Sequence, residues 1–317
     1  MKIREFQLSP YEIDFSHGYR RFGALIRVES EDGNVGVGDL APLKERSKES
    51  LPQAIAQFKE YESALTSIFW GKDFVEQLAT FPLFPSLSFA IESALFSILN
   101  PHFSCVLDVA ALVMGTSVSE IMAIAEKRKK EGFQTVKLKI GNLTRDVACA
   151  AIHEIKGMFK LRIDANSRWT LPESIRFFSQ FPPDLFDYIE DPADSVEELE
   201  HFPFPIAVEE PLSRGISLST IEKIPTLKAL TYKPTVQGGF LEGEQLKKWT
   251  DARGISLVLS SSLESDVGHF HIAQMAGRLG LTAPIGIGTC HYLKHHLSKT
   301  TLDFNGGKIH INKLMTL

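Results

Sequence analysis

The sequence has few cysteines and no long uninterrupted apolar stretch. Cys105, Cys149 and Cys290 are odd in number and widely spaced, so they predict neither a disulfide framework nor a zinc knuckle. The apolar stretch 89–99 is interrupted by Glu92 and is far shorter than the roughly 20 residues of a membrane-spanning helix. The first residues are polar and lack the apolar segment of a secretory signal, so we expect a cytoplasmic protein with free thiols.

Strong charge of either sign is also missing. The 317 residues include 34 Lys and Arg against 39 Asp and Glu, which gives a formal net charge of −5. This balance provides no overall electrostatic attraction to nucleic acid or to an anionic membrane, so we expect neither as a partner. The hydrophobic share of 44% is ordinary for a globular protein. The length predicts two domains, or one barrel with an attached unit.

The first hundred residues predict an α+β unit. The elements, in order, are a strand, a turn, a second strand and two amphipathic helices: 22–28, 31–34, 35–38, about 50–65 and about 86–99. Gly33, Gly36 and Gly38 have a spacing faintly like that of a dinucleotide-binding loop. Because they lie within a hairpin and not between a strand and a helix, we interpret them as turn glycines.

From about residue 104 onward, short apolar runs alternate with amphipathic stretches. The runs are 105–109, 135–140, 161–163, 185–189, 206–208, 229–232, 255–259 and 284–287. Helical stretches between them include 118–131, 145–158, 172–181, 243–254 and 268–279. Eight strands separated by helices predict a (β/α)8-type barrel in the α/β class.

The last twenty residues break this alternation. The segments 301–304 and 308–311, on either side of Asn305-Gly-Gly, predict a hairpin. A hairpin is not part of the (β/α)8 pattern, so we expect this segment to pair with the N-terminal sheet. The predicted domains are therefore an α+β capping domain, 1–102, completed by about 298–317, and a barrel, 103–297.

Three acidic residues, Asp164, Glu190 and Glu209, follow consecutive predicted barrel strands. Because neighbouring strands lie about 4.8 Å apart, their carboxylates can converge, and they then repel each other unless a cation lies among them. Oxygen ligands with open positions suit Mg²⁺, with Mn²⁺ as a substitute. Each acid taken alone could instead cap the helix that follows it. Glu210 is an alternative to Glu209 as the third ligand.

One predicted strand carries two lysines, and another ends in a third. Lys137 and Lys139 are two residues apart on one strand, so both point into the barrel mouth, where each should lower the pKa of the other. An amine with a lowered pKa can serve as a base near neutral pH. Lys233 ends the sixth strand and therefore faces this pair across the mouth. A lysine at a single strand end is usually a solvated surface residue, but three beside the acids indicate a site.

Taken together and in order, these motifs resemble the enolase superfamily. They are Lys137-Leu-Lys139, Asp164-Ala-Asn166, Glu190-Asp-Pro192, Glu209-Glu210, Lys233-Pro-Thr235 and Ser260-Ser-Ser-Leu-Glu-Ser265. The resemblance covers nearly the whole chain and is strongest to the muconate-lactonizing-enzyme subgroup, within it to the o-succinylbenzoate synthase family. It implies a Mg²⁺-dependent lyase of menaquinone biosynthesis. The substrate would be the small carboxylate 2-succinyl-6-hydroxy-2,4-cyclohexadiene-1-carboxylate, which loses water in a syn elimination.

The resemblance also implies a role for each matching residue. Lys139 would remove the proton α to the carboxylate, Lys137 would help to neutralise that carboxylate, and Lys233 would stabilise the intermediate from the opposite face. The Mg²⁺ ligands would be Asp164, Glu190 and Glu209, and the ion would stabilise an enediolate. The loop 16–21 would cover the site, and substrate contacts would come from Ser262, Gly288, Arg21 and Asn166. The family usually has Asp at the third acid, so the longer Glu209 must shift the metal or be re-aimed.

Other functions stay open. An N-acylamino-acid racemase would use Lys139 and Lys233 as bases on the two faces of one carbon. A dipeptide epimerase matches less well, because that family usually has Asp-x-Asp at strand eight, where this chain has Gly286-Ile-Gly288. The non-enzymatic alternative is an inactive barrel that acts as a binding module. The retained lysines and acids argue against it, because burying such charges is costly.

Overall fold

An antiparallel sheet covered by helices forms the N-terminal part of the protein. The computed structural model describes residues 1–300, 302–312 and 315. Strands β1 (Ile3–Asp14), β2 (Arg20–Ser30) and β3 (Val35–Leu40) pair in that order. Helices α1 (Leu51–Ser67), α2 (Phe74–Leu78) and α3 (Pro85–Leu99) follow. The predicted hairpin and both predicted helices are present, whereas the sequence analysis missed β1.

Two of the three hairpin glycines have a different role from the one we predicted. Gly33 has a φ of +80° and does lie in the turn. Gly36 and Gly38 lie in β3 and face α3, where an added Cβ would lie 2.0 and 1.8 Å from the carbonyl oxygens of Ala94 and Ala90. They are therefore glycines because the helix backbone approaches the strand too closely for a side chain.

Parallel strands alternate with helices through the rest of the chain. The strands form one curled sheet in the order β11-β10-β9-β8-β7-β6-β5. After the short β4 (Cys105–Asp108), the successive elements are β5 (Ala110–Val113), α4 (Val118–Lys130), β6 (Thr135–Lys139), α5 (Arg145–Ile155), β7 (Lys160–Asp164), α6 (Leu171–Phe178), β8 (Phe186–Glu190), β9 (Ile206–Val208), α7 (Glu210–Ser213), α8 (Leu218–Ile221), β10 (Leu227–Tyr232), α9 (Pro234–Gln237), α10 (Phe240–Asp251), β11 (Ser256–Leu259) and α11 (Asp266–Arg278). Short 3₁₀ helices cover Pro183–Leu185, Glu197–His201 and Gly288–Tyr292. The predicted α/β alternation is confirmed, but the first predicted barrel strand, 105–109, largely forms β4, which lies in a separate sheet, and the curled sheet begins with β5.

The eighth predicted strand, 284–287, does not form a regular ladder. Ile285 and Gly286 instead form isolated parallel bridges, to Val109 beside β5 and to Ser260 beside β11. Pro284 lacks an N–H, and Gly286 carries no side chain to pack against a neighbouring strand, so a regular strand is weakened here. The segment nevertheless contacts both edges of the curled sheet.

The C-terminal hairpin lies elsewhere than we expected. Strands β12 (Asp303–Asn305) and β13 (Lys308–Ile311) form the hairpin, and β13 pairs with β4. The expectation that this tail completes the N-terminal sheet is therefore wrong for the described part of the tail. β4 leads directly into β5. The hairpin strand β13 forms backbone hydrogen bonds with β4 and so covers the edge of β4. Residues 301, 313, 314, 316 and 317 of the predicted 298–317 segment lie outside the described residues.

The N-terminal part contacts the carboxyl ends of the barrel strands. Asp39, at the end of β3, accepts hydrogen bonds from the N–H and hydroxyl of Ser265, the residue that caps α11, at 2.9 and 2.7 Å. The N–H of Ser16 donates to the carbonyl of Tyr292 at 2.7 Å. No helix among the described residues has the length and apolarity that crossing a membrane requires.

Candidate active site

A cavity of about 490 Å³ lies where the N-terminal loops meet the carboxyl ends of the barrel strands. Its walls combine residues from both parts of the chain: Phe15, His17, Tyr19, Leu43, Arg46, Lys137, Lys139, Asn142, Asn166, Glu209, Lys233, Ser260, Ser261, Ser262, Gly286, Gly288, Thr289 and Tyr292. A larger cavity of about 630 Å³, beside β12 and β13, has no lysine among its described lining residues. The smaller cavity is the candidate site because the predicted lysines converge there.

Strand register places two of the predicted acids, Asp164 and Glu190, at one level. Lys139 pairs with Asp164, and Asp164 pairs with Glu190, across β6, β7 and β8. Glu209 directly follows β9, immediately precedes α7, and lies two residues beyond Ala207, the residue that pairs with Glu190. All three acids are buried. The carboxyl ends of parallel strands therefore bring these side chains to one edge of the sheet, as the sequence predicts.

Two lysines contact these acids directly. The Nζ of Lys137 lies 2.6 Å from Oε1 of Glu190 and 3.0 Å from Oδ2 of Asp164. The Nζ of Lys233 lies 2.7 Å from Oε2 of Glu209. Lys139 is less engaged, with its Nζ 3.7 Å from Asp164. The Lys139 side chain is 39% exposed, against 12% for Lys137, so Lys139 is the freer of these two amines.

The pKa values of the two strand-β6 lysines move in opposite directions. Loss of solvation inside the cavity lowers the pKa of Lys139 although its side chain remains open to the cavity, and the charges of Lys137 and Lys233 add to this effect against the opposing charge of Asp164. Burial also disfavours the charge of Lys137, but the carboxylates of Asp164 and Glu190 outweigh it and raise the pKa of Lys137 well above its ordinary value. The predicted mutual lowering is therefore right for Lys139 and wrong for Lys137. Lys137 lies between two carboxylates, which a sequence pattern does not show.

Residues 120–314 match the family described as enolase C-terminal domain-like, which is more than half of the chain. The chain belongs to this family. The enolase-superfamily resemblance that the strand-end motifs indicated is thereby confirmed.

Curated relatives of this enolase-superfamily chain include several o-succinylbenzoate synthases. The protein of that name from Pectobacterium atrosepticum is 27% identical over 266 residues, covering 82% of this chain and 79% of the relative. The one from Proteus mirabilis is 26% identical and covers 100% of this chain and 98% of the relative. The chloroplastic protein PHYLLO of Arabidopsis thaliana is 26% identical, and this chain spans only 17% of its length.

Solved structures share the fold at lower identity. The L-Ala-D/L-Glu epimerase from Bacillus subtilis superposes with a TM-score of 0.85 at 20% identity, with full coverage of both chains. MenC from Desulfotalea psychrophila superposes with a TM-score of 0.79 at 21% identity, covering 98% of this chain and 100% of that one. Dipeptide epimerase from Enterococcus faecalis, complexed with Mg and the dipeptide L-Leu-L-Tyr, gives 0.84 at 17% identity, covering 99% and 98%.

The structure separates the two candidates for the third acid. Both carboxylate oxygens of Glu210 are held by arginines, one by Arg46 at 2.6 Å and the other by Arg214 at 2.8 Å. Glu209 instead contacts the cavity lysine Lys233. Glu209 is therefore the acid that faces the site, and Glu210 connects the barrel to the N-terminal loop that carries Arg46.

Asp191 adds a fourth carboxylate that the sequence analysis did not assign. Among the described residues, oxygens of Glu190, Asp191 and Glu209 lie within 4.8 Å of one another, a grouping that does not include Asp164. However, each Asp191 oxygen accepts a backbone N–H, from Glu209 and from Glu210, both at 2.9 Å. Asp191 is thus engaged in holding the turn after β9. The predicted ligand set with Asp164 stays a prediction.

The donor set fits a hard divalent cation. The four carboxylates supply only oxygen atoms, and all four side chains are buried. Burial raises the pKa of Asp191 well above its ordinary value, and the neighbouring Glu209 and Glu190 charges raise it further. Burial likewise raises the pKa of Glu190 although Lys137 opposes it. Like charges on these neighbouring carboxylates repel one another, and a divalent cation among them would relieve that repulsion.

Three of the four predicted substrate contacts line the cavity. Ser262 and Gly288 do so, and an added Cβ on Gly288 would lie 2.6 Å from the Leu112 nitrogen, so only glycine fits. Asn166 also lines it, with its N–H donating to Asp164 Oδ1 at 3.0 Å. Their binding roles stay predictions.

Arg21 does not reach the cavity, and its expected role is corrected. It is 3% exposed, and its guanidinium donates to the backbone carbonyls of Ala41 and Pro42. Arg21 lies on the central strand of the N-terminal sheet, next to the segment that follows β3. The buried carbonyls of that segment need hydrogen-bond donors, and Arg21 supplies them. The sequence analysis missed Arg46, which does line the cavity. Its loop follows no barrel strand, so strand-end reasoning could not find it.

Proposed function

We propose that this protein is an o-succinylbenzoate synthase, a lyase that dehydrates 2-succinyl-6-hydroxy-2,4-cyclohexadiene-1-carboxylate to o-succinylbenzoate in menaquinone biosynthesis. The observation that carries the proposal is that Lys139 and Lys233 line one cavity together with the strand-end acid Glu209. The o-succinylbenzoate synthases among the curated relatives support this substrate over others of the superfamily.

Lys139 is the general base of the proposed reaction. Its lowered pKa raises the fraction of neutral amine at a given pH, and its exposed fraction gives it access to substrate. It takes the proton from the carbon that bears the carboxylate. The electron pair of that C–H bond becomes the new ring double bond as the C–O bond to the hydroxyl group breaks. In a syn elimination the Lys139 ammonium then returns its proton to the departing hydroxide, which leaves as water, so atoms and charge balance.

Lys137 and Lys233 supply fixed positive charge. Lys137 remains protonated because its pKa is raised, and it lies beside the acids at which the substrate carboxylate would bind. Lys233, whose pKa is also raised despite burial, mainly by Glu209, stabilises negative charge on the reacting ring from the other side of the cavity. Charges fixed in advance inside a buried site are effective because they need little reorganisation during the reaction.

Asp164, Glu190 and Glu209 would hold Mg²⁺, with Mn²⁺ as a substitute. The bound ion would supply Lewis-acid stabilisation of charge that develops on the substrate carboxylate. The N-terminal part, 1–102, acts as a cap on a (β/α)8-type barrel, 103–297. Loop residues such as His17 and Tyr19 line the cavity and would exclude water from it.

The test follows loss of the diene absorbance of the substrate in the ultraviolet, with and without Mg²⁺. Lys139→Ala should lower the rate by about 10²–10⁴-fold, the usual contribution of a general base. Lys248→Ala, an exposed lysine on α10, is the matched control and should retain full activity. Metal-independent turnover by the wild type, or an undiminished Lys139→Ala variant, would reject the proposal.

Racemisation of N-acylamino acids is the second candidate. The placement of Lys139 and Lys233 in one cavity favours it, since a racemase needs an amine on each face of the α-carbon. Incubation of N-succinyl amino acids in deuterated water tests it. Racemisation with deuterium incorporation, but without dehydration of the cyclohexadiene, would replace the first proposal by this one. Dipeptides are poorer candidates because Gly286-Ile-Gly288 offers no carboxylate to bind a peptide ammonium.

A further inference from the structure

We propose that Ser213 and Gln237 form a hydrogen-bonded clamp that positions the Glu209 carboxylate and the Lys233 ammonium relative to each other. They are positioning residues. This inference rests on the proposed function, because it concerns two groups of that same site. It also explains how Glu209 can stand where the family usually has aspartate. The sequence analysis expected that this longer side chain would have to be reoriented, and the clamp would hold it in that orientation.

The four side chains form a closed ring of contacts. The Ser213 hydroxyl donates to Oε1 of Glu209 at 2.6 Å, and Lys233 Nζ lies 2.7 Å from Oε2 of the same carboxylate. The side-chain amide of Gln237 donates through Nε2 to the Ser213 oxygen at 2.9 Å. The backbone N–H of Lys233 donates to Oε1 of Gln237 at 2.6 Å and closes the ring.

Donor and acceptor roles in this ring are fixed by chemistry. The Lys233 N–H can only donate, so the Gln237 carbonyl oxygen must face it and the Gln237 NH₂ must face Ser213. The NH₂ can only donate, which makes the Ser213 oxygen an acceptor there. The Ser213 hydrogen is thereby left for the Glu209 carboxylate. Each oxygen of Glu209 then has its own donor, and the carboxylate cannot rotate freely.

Local structure explains why these residues meet. Glu209 and Ser213 are four residues apart across α7, and Lys233 and Gln237 are four apart across α9. In each case a single helical turn follows a barrel strand, and the i+4 side chain returns over the strand end. β9 and β10 are neighbours in the sheet, so the two turns lie side by side. Glu209 meets both Ser213 and Lys233 through a side chain one methylene longer than that of the usual aspartate.

The decisive experiment measures divalent-cation binding by the full chain without substrate, using calorimetric titration with Mn²⁺. Ser213→Ala should weaken Mn²⁺ binding by about tenfold, the lower end of the usual effect of losing a residue that orients a metal ligand. Ser219→Ala, an exposed serine on α8, is the matched control and should bind as the wild type does. Gln237→Met, which removes the donor to Ser213 while keeping the side-chain length, should weaken binding in the same direction.

A double-mutant cycle tests whether the clamp acts through Glu209. In a Glu209→Asp background the carboxylate is too short to reach Ser213, so adding Ser213→Ala should cause no further loss. A tenfold loss that persists in that background overturns the clamp, as does wild-type binding by Ser213→Ala.

A metal-free readout separates this inference from the proposed function. In the absence of cations, the rate of acetylation of Lys233, mapped by peptide mass, should rise in Ser213→Ala, because a loosened Glu209 holds the ammonium less firmly. An unchanged rate overturns the clamp. If the wild type binds no Mn²⁺ but Lys233 is still acetylated faster in Ser213→Ala than in the wild type, the metal site of the proposed function is refuted and the clamp remains supported.

Discussion

Glu92 should make the stability of the protein depend on pH. This residue lies on α3, is 4% exposed, and accepts the N–H of Phe240, at the start of α10, at 2.5 Å. Burial raises its pKa from 4.5 to about 8, against a smaller opposing effect of the Phe240 N–H. The perturbation that isolates this effect is Glu92→Gln, which keeps an oxygen for the Phe240 N–H and removes the ionisation.

The direction of the pH effect on stability follows from the pH at which each state, folded or unfolded, releases the Glu92 proton. Below about pH 4.5 the carboxyl is protonated in both the folded and the unfolded state, so it has no effect on the free energy of unfolding. Between about pH 4.5 and pH 8 the unfolded state has released the proton while the folded state retains it, so stability falls as the pH rises. With about 1.4 kcal/mol for each unit of pKa difference, the ionisation of Glu92 by itself should lower the free energy of unfolding by about 3 kcal/mol between pH 5 and pH 8.

Urea unfolding at pH 5 and pH 8 measures this difference. The stability of Glu92→Gln relative to the wild type should rise by about 3 kcal/mol between the two pH values. Glu60→Gln, at an exposed position on α1, is the control. Its free energy of unfolding should change between pH 5 and pH 8 by the same amount as that of the wild type. If the free energy of unfolding of Glu92→Gln also changes by the same amount as that of the wild type, the Glu92 carboxyl is ionised in the folded protein and the reasoning from burial is refuted.

Two further predictions concern the site. Dehydration kcat/KM should rise with pH and level off below the pKa of about 10.4 of an ordinary lysine, because burial lowers the pKa of Lys139; an inflection at or above that value contradicts its role as the base. Glu209→Gln should weaken Mg²⁺ binding at least about tenfold in calorimetric titration, whereas Glu210→Gln should leave it within about twofold, because Glu210 pairs with arginines and not with the cavity lysines. Equal losses in the two variants would show that Glu210 also contributes to the metal site.

The sequence was sufficient to predict which residues meet at the strand ends. Asp164 and Glu190 each end an apolar strand, and the two-residue spacing of Lys137 and Lys139 places both on one face. These predictions depend only on the period of a strand and on the common direction of parallel strands. They hold without any knowledge of how the loops are arranged.

Features that depend on contacts between distant segments were not predictable in this way. The opposite pKa shifts of Lys137 and Lys139 depend on which carboxylate each ammonium contacts, at distances that differ by only about an ångström. The edge that the C-terminal hairpin joins depends on which strand has a free edge, and β4 was not distinguished from β5 in the sequence pattern. Arg21 was expected at the site because of its loop, yet its strand turns the side chain toward buried carbonyls.

The contacts that hold the N-terminal part on the barrel lie beside the residues proposed for chemistry. Arg46 binds Glu210, the residue after Glu209. Asp39 binds Ser265, three residues after Ser262. The ends of β9 and β11 thus each provide both a cavity side chain and an attachment point for the N-terminal part. Because these contacts lie on the same turns as Glu209 and Ser262, we expect a displacement of the N-terminal part to shift these cavity residues as well.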